Sequence, residues 1–381
     1  MEKIAAEVRE LVSTADDAGR RELLKSLREL QYSLETPDDT LKRMIHYNLR
    51  LTVARTATDL KLFSLLAQNA PSPMTTIEIA KQTGAAEVLL GRLLRYLASL
   101  SMIKETGVDT FTANNITTAL AGEGFQAGLR VYFDSHGPTF QAAPAFLAET
   151  HYSDITDHTK TPFQAAYNTD LPAFTYATQF PVISANFNNY LAYERTGRAI
   201  WLDAYPLEEE CKAQPAEDVL LVDIGGGIGD QCVALKTRFP DIPGRVILQD
   251  EAHVLANAIV KEGVEEMAQD FFQPQAVKYA KYYYLRNILH DWPDASCRLI
   301  LENTKAAMGP HSMLLIDDIV LPNSGVHWQA AQLDMTMMFV LGAMERTREQ
   351  WRALLDSVSM KMVKVVQYTS LGDSIIVAVG K

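Results

Sequence analysis

The chain has 381 residues, more than one ordinary hydrophobic core accommodates, so the default is two domains or one domain with a large appendage. Hydrophobic residues make up 48% and the formal charge is −12, enough apolar material for well-buried cores and a poor surface for nucleic acid or anionic membrane, which attract basic patches. Cys211, Cys232 and Cys297 form no CxxC pair and are odd in number, which suits a reducing compartment better than a disulfide scaffold.

The opening, MEKIAAEVRE, is charged and amphipathic without an apolar signal region, and nowhere do about 18 consecutive apolar residues mark a membrane span. The expectation is a cytoplasmic protein. Residues 1–120 read as helices with turns at 36–39 and 70–74, and within them 75–100 reads as two helices joined at Gly84 and followed by a strand and wing over 102–112. This is a winged-helix pattern, yet its second helix offers only Arg92 and Arg95 among many Leu, so a dimerisation or lid module is expected rather than a DNA reader. Residues 121–210 form a helical linker and substrate-pocket region dense in aromatics, among them Tyr132, Phe140, Phe163, Phe174 and Tyr190. Such rings build core or line a pocket for a flat organic ligand. His136, next to Gly137 and Pro138, is a loop histidine and a candidate for the substrate pocket. His151, Asp154, Asp157 and His158 in HYSDITDH match no strong ligand spacing, so a solvated loop and no metal are expected.

Residues 211–381 change texture. Strands are expected over 219–224, 245–249, 282–286 and 313–319, alternating with helix-length segments, which implies a parallel sheet covered on both faces. Two further strands, 361–369 and 374–379, flank the short turn SLGD and predict an antiparallel hairpin closing the sheet. The first strand runs into VLLVDIGGGIGD, where Gly225, Gly227 and Gly229 can adopt φ > 0 and bring backbone N–H groups close to a nucleotide-like ligand. The spacing is not the dinucleotide GxGxxG, since Asp230 follows Gly229, and no GK[ST] is present for a phosphate loop. Asp223 precedes the glycines and Asp250 ends the next strand, about 20 residues on, where a carboxylate can take both ribose hydroxyls. S-adenosylmethionine has a ribose, no phosphates and a sulfonium that tolerates acidic surroundings. A tight strand-to-helix turn without a ligand is the plain alternative.

The segment 223–229, Gln249 with Asp250, MAQDFF, YYYLRNILHDWPD, LLIDDIVLP and AMERT together resemble the plant and fungal class I O-methyltransferases, over nearly the whole chain. The resemblance implies an α/β fold, a Rossmann-like class I methyltransferase sheet, with an N-terminal α-helical winged-helix dimerisation domain, a homodimer and a small-molecule substrate. It further implies that Asp223, Gly225, Gly227 and Asp250 bind the methionine and ribose ends of the cofactor, and that Asp270 and Phe271 flank its adenine. Arg286 stands where that family usually has a cofactor-contacting lysine.

His290 follows a strand end, where ligands of open α/β sheets gather, and a neutral imidazole there can accept a proton from a phenol or enol. By the resemblance, Glu345 orients it. The second acid of the family falls on Asp318, one methylene shorter than the usual glutamate, which leaves its contact with His290 open. The bland alternative is a histidine stacked on Trp292. In DMTMMFVLGAM, methionines including Met335 and Met338 surround a helix and form either the wall of an aromatic pocket or a plain buried face.

The chain is also similar, over its full length, to a pericyclase branch of the family, which binds S-adenosylmethionine without transferring its methyl; LRELQYSLETP, LLRY and the FQ and NTD stretches are shared. In that branch an arginine stands where His290 stands, and the active-site histidine falls near Val131, apolar here. These departures favour O-methyl transfer to a small aromatic or polyketide-like metabolite, with pericyclic dehydration and cycloaddition as the alternative.

Overall fold

The computed structural model describes residues 2–195, 197, 199–211, 215, 217–259 and 262–381. They divide into two compact units: one runs to Pro138 and takes in Tyr176–Gly197, and the other comprises Thr139–Thr175 and the chain beyond residue 198. The aromatic stretch of the sequence is thereby shared between the two.

In the first unit, strands β1 (Met74–Thr75), β2 (Lys104–Gly107) and β3 (Thr110–Thr112) make a small antiparallel sheet with β3 in the middle. Helix Thr76–Thr83 starts from a capping box, Thr75 accepting from the Glu78 N–H and Glu78 from the Thr75 N–H, and stops at Gly84. In the next helix, Glu87–Ser99, Leu90, Leu94 and Leu97 recur at helical spacing and are fully buried with Phe63, Leu66, Ile79 and Phe111. The winged helix expected from the sequence is present, and Arg95 on its second helix pairs with Asp109 at 3.0 Å. Helix Glu123–Arg130 continues into a π-helical turn, Val131–His136, and packs on helix Pro181–Arg195, where only hydrogen at Gly124 and Gly128 leaves room for Tyr193 and Tyr190. The first three helices, Glu2–Thr14, Asp17–Leu34 and Pro37–Ile45, bury no residue at all, and Leu27, Leu30, Leu34, Met44 and Ile45 are exposed.

The second unit is built on an eight-stranded sheet. Its strands are β4 (Val219–Ile224), β5 (Arg245–Asp250), β6 (Val264–Ala268), β7 (Tyr282–Arg286), β8 (Met313–Leu321), β9 (Arg346–Thr347), β10 (Met360–Gln367) and β11 (Asp373–Gly380). The order is β10-β11-β8-β7-β4-β5-β6, with the short β9 paired to the end of β8. Strands β4 to β8 run parallel, and β11 inserts antiparallel between β8 and β10, so the expected hairpin does close the sheet. Period-two alternation sends Tyr283 and Leu285 into one buried layer with Val222, Leu314 and Ile316, and Tyr282 and Tyr284 into the opposite layer with Leu221 and Leu315. Strand β6 is absent from the sequence expectation: VEEMA sits at the sheet edge with both glutamates exposed, so its apolar signal is weak.

Candidate active site

The glycine turn closes off β4. Gly225, Gly227 and Gly229 have φ of +68°, +62° and +87°, which only glycine adopts without strain. Space is restricted too: a Cβ on Gly225 would lie 2.6 Å from Ile288 Cδ1 and 3.5 Å from Phe271 Cε1, and one on Gly226 would lie 2.6 Å from the Asp223 carboxyl carbon. The amides point inward, contrary to the expectation that they face a ligand. Gly225 and Gly226 donate to the Gln249 carbonyl at 2.8 and 3.0 Å, and Gly227 donates to Asp250 Oδ2 at 2.8 Å. A turn that serves a ligand without phosphates needs no nest of free N–H groups, and here they lock β4 to β5 instead.

Asp250 is half-buried, its Oδ1 accepting from the Glu251 N–H at 2.7 Å, and burial raises its pKa despite the two amide donors. Each oxygen keeps a second lone pair for a hydroxyl donor. Asp223 lies beneath the turn, 1% exposed, in contact with the Cys232 thiol at 3.4 Å. Phe271 is packed edge-on to Phe272 and Trp292, while Asp270 is exposed and accepts the Phe272 N–H at 2.8 Å. Arg286 is drawn between two acids, Asp317 at 3.5 Å and Asp230 at 3.6 Å. Asp317 also accepts the Tyr284 and Tyr368 hydroxyls at 2.5 and 2.6 Å, a buried network with no signature in the sequence.

Past the end of β7, a single 3-10 turn, Leu289–Asp291, carries His290. The ring is 8% exposed, and its Nδ1–H donates to Glu345 Oε1 at 2.7 Å, across 55 positions of sequence. Nε2 lies 3.4 Å from Asp291 Oδ1. Burial alone would lower the imidazole pKa, but the charges of Asp291 and Glu345, the Glu345 hydrogen bond and Asp318 outweigh it and push His290 up to about 10. The ring that meets Trp292 is His158, at 5.3 Å and edge-on, so the histidine expected in a solvated loop is part of an aromatic cluster and His290 is not.

Asp318 is 1% exposed and makes no hydrogen bond to His290; both its oxygens, like Glu345 Oε2, are buried without a hydrogen-bond partner. Burial holds its carboxyl well above 3.8, against the pull of His290 and with the help of Glu345. The Glu345 N–H is fixed by Asp334 Oδ1 at 2.9 Å, an acid the sequence reading passed over. Met335 and Met338 lie on helix Trp328–Leu341 of the second unit, Met335 at 45% exposure and Met338 half-buried. His136 belongs to the first unit, edge-on to Tyr132 at 5.1 Å, and burial pushes its pKa down to about 4. Among the described residues no group of three or more His, Cys, Asp or Glu is placed to hold a metal, and no helix is long and apolar enough to cross a membrane.

Residues 151–360 match the O-methyltransferase domain, and residues 43–121 match the O-methyltransferase dimerisation domain. The chain is 42% identical to the demethylsterigmatocystin 6-O-methyltransferase of Aspergillus parasiticus over 382 aligned positions, covering 100% of this chain and 98% of that protein. The solved structure of LepI in complex with SAM superimposes with a TM-score of 0.94 at 40% identity, over 100% of this chain and 98% of the other. A structure described as a pericyclic reaction enzyme gives the same score and identity over 100% and 99%. The open space beside Gly227, where a Cβ would meet nothing within 4 Å, and the open lone pairs of Asp250 fit a cofactor with a ribose and no phosphates. The chain therefore belongs to the S-adenosylmethionine-dependent O-methyltransferase family of secondary metabolism, and S-adenosylmethionine is its cofactor.

Proposed function

We propose that the protein methylates a hydroxyl of a small aromatic or polyketide-like metabolite, with His290 as the group that takes the hydroxyl proton. The observation that carries this reading is the buried 2.7 Å contact between His290 Nδ1 and Glu345 Oε1, which fixes the tautomer of the neutral ring, so that the imidazole offers Nε2 as the proton acceptor once it has lost its own proton. When bound, S-adenosylmethionine supplies an electrophilic methyl. The chain's part is to present the acceptor oxygen and remove its proton. The surrounding carboxylates raise the basicity of the imidazole, which favours its taking the proton of a phenol, whose own pKa is about 10. The resulting imidazolium is held between Asp291 and Glu345. Asp250 and the turn at Gly225 and Gly227 would hold the ribose and methionine ends, with Phe271 beside the adenine and Arg286 braced by Asp230 and Asp317 behind them. Holding nucleophile and methyl in line contributes up to roughly 7–11 kcal/mol of the barrier.

The matched dimerisation domain and the uncovered apolar faces of the first three helices support a homodimer. Three buried free cysteines suit a cytoplasmic location. Met338 and His136 are candidate substrate contacts, each within its own unit, and the neutral state of His136 suits an apolar ligand. Incubation with S-adenosylmethionine and a panel of phenols is expected to release S-adenosylhomocysteine, and His290→Ala to stop it. A broad panel that yields none, or a His290→Ala that retains full turnover on an accepted phenol, would defeat the reading. The second reading, pericyclic catalysis with the cofactor retained, is favoured by the likeness to the pericyclic reaction enzyme.

A further inference from the structure

The two halves of the His290 and Glu345 pair come from segments far apart in the chain, and one side chain ties those segments together. Arg346 follows Glu345 directly, begins β9 and is 1% exposed. Its Nη1 donates to the Leu289 carbonyl at 2.9 Å, and its Nη2 to the Trp292 carbonyl at 3.1 Å. Those carbonyls bracket the residues that carry the chemistry, one before His290 and one after Asp291. Nε and Nη2 also reach a single oxygen of Asp294, at 3.1 and 2.7 Å, and the guanidinium carbon lies 5.1 Å from the Trp351 ring. Cys297 Sγ approaches the same two carbonyls at 3.1 and 3.2 Å, but a thiol has one proton and serves one of them at a time. Only the planar fork of an arginine can hold both while keeping its charge partner; a lysine offers a compact point charge instead.

We infer that Arg346 is a positioning residue: by gripping the Leu289 and Trp292 carbonyls from the position next to Glu345, it sets the distance between His290 and Glu345. Asp334 completes the arrangement by fixing the Glu345 N–H. Removing the fork lets the 3-10 turn relax away from β9, and the 2.7 Å contact lengthens while both side chains remain present. The geometric claim stands without the proposed methyl transfer, and only its kinetic consequence rests on that reading.

Arg346→Lys is the direct test, with the titration of His290 followed by NMR on histidine-labelled full-length protein. The groups facing the imidazole are Asp291 on its own turn, Glu345 before β9 and Asp318 on β8. With Glu345 loosened, the His290 pKa is expected to fall by at least about one unit, and its Nδ1–H resonance to move, since a nearby opposite charge raises a pKa by about 1–3 units. Cofactor affinity, read by calorimetry, should stay within about threefold, because the glycine turn is untouched. If methyl transfer is the reaction, kcat should drop roughly a hundredfold with KM little changed, as a small misplacement produces. A folded, cofactor-binding Arg346→Lys with a wild-type His290 titration overturns the inference. A shifted titration in a protein that transfers no methyl with any acceptor upholds it and removes the functional reading instead. Should Arg346→Lys not fold, Asp294→Ala unhooks the guanidinium from a carboxylate that is 51% exposed. A shift of the same sign but smaller is then expected, and an unchanged titration overturns the inference equally.

Discussion

At the scale of residues, the site is a cluster of acids around one imidazole, and their protonation states decide what it can do. His290, pushed up to about 10, is largely imidazolium at neutral pH in the free enzyme. A proton acceptor must be neutral, or meet a substrate that has already lost its proton, so kcat/KM is expected to climb with pH through neutrality and level off only on the alkaline side. Glu345→Gln removes a charge that favours the imidazolium, so its profile should level at lower pH, with kcat reduced roughly a hundredfold to ten-thousandfold. A profile flat from neutral pH upward in both proteins would argue against His290 as the acceptor. Asp318 works in the opposite direction. Folded, it keeps a proton that the unfolded chain releases above 3.8, so stability falls as pH rises from that value toward its raised folded pKa. Asp318→Asn should therefore match or exceed the wild-type melting temperature at pH about 8 and show no gain at pH about 3. A large loss at alkaline pH would mean that Asp318 is ionised and bonded after all. The pairing of His290 with Glu345 was legible from the sequence because both sit in recognisable motifs. The contact from Asp318 was left open there because its side chain is short, and its two oxygens are buried without a hydrogen-bond partner.

Elements deliver these residues, and their legibility followed their apolar content. Strands β4, β5, β7 and β8 and the hairpin of β10 and β11 announce themselves through runs such as VLLVDI and SIIVAV, whereas β6 exposes Glu265 and Glu266 at a sheet edge and stayed hidden. The glycine turn was legible in position but not in the direction of its amides, because their acceptors, the Gln249 carbonyl and Asp250, belong to the neighbouring strand. Arg346 was equally hidden: backbone carbonyls as partners leave no trace in residue types. For the turn, Gly225→Ala brings a methyl 2.6 Å from Ile288 Cδ1 at a φ of +68°. The backbone strain alone is about 1–2 kcal/mol. Affinity for S-adenosylmethionine should weaken at least about tenfold by calorimetry, and the melting temperature should fall by roughly a few degrees, since the strain and the clash with Ile288 burden the folded state. Wild-type affinity in Gly225→Ala would remove this turn from the cofactor site.

The molecule as a whole joins a dimerisation domain to a catalytic domain, and its first three helices have no buried face of their own. Apolar side chains such as Leu27, Leu30 and Leu34 would each gain up to about 1.5–3 kcal/mol from full burial, so a surface that covers them would be stabilising. Deleting residues 1–40 is expected to give a monomer or an insoluble chain, and an unchanged dimer by size exclusion with light scattering would count against a helical arm in the interface. The family's dual repertoire makes the fate of the cofactor the deciding question for function. Enzyme turned over on its substrate with methyl-labelled S-adenosylmethionine should place the label on product oxygen, one S-adenosylhomocysteine per product, and His290→Ala should lose that label while still binding the cofactor. Substrate converted to an unlabelled product, with the S-adenosylmethionine recovered intact, would contradict methyl transfer and leave the pericyclic reading in its place.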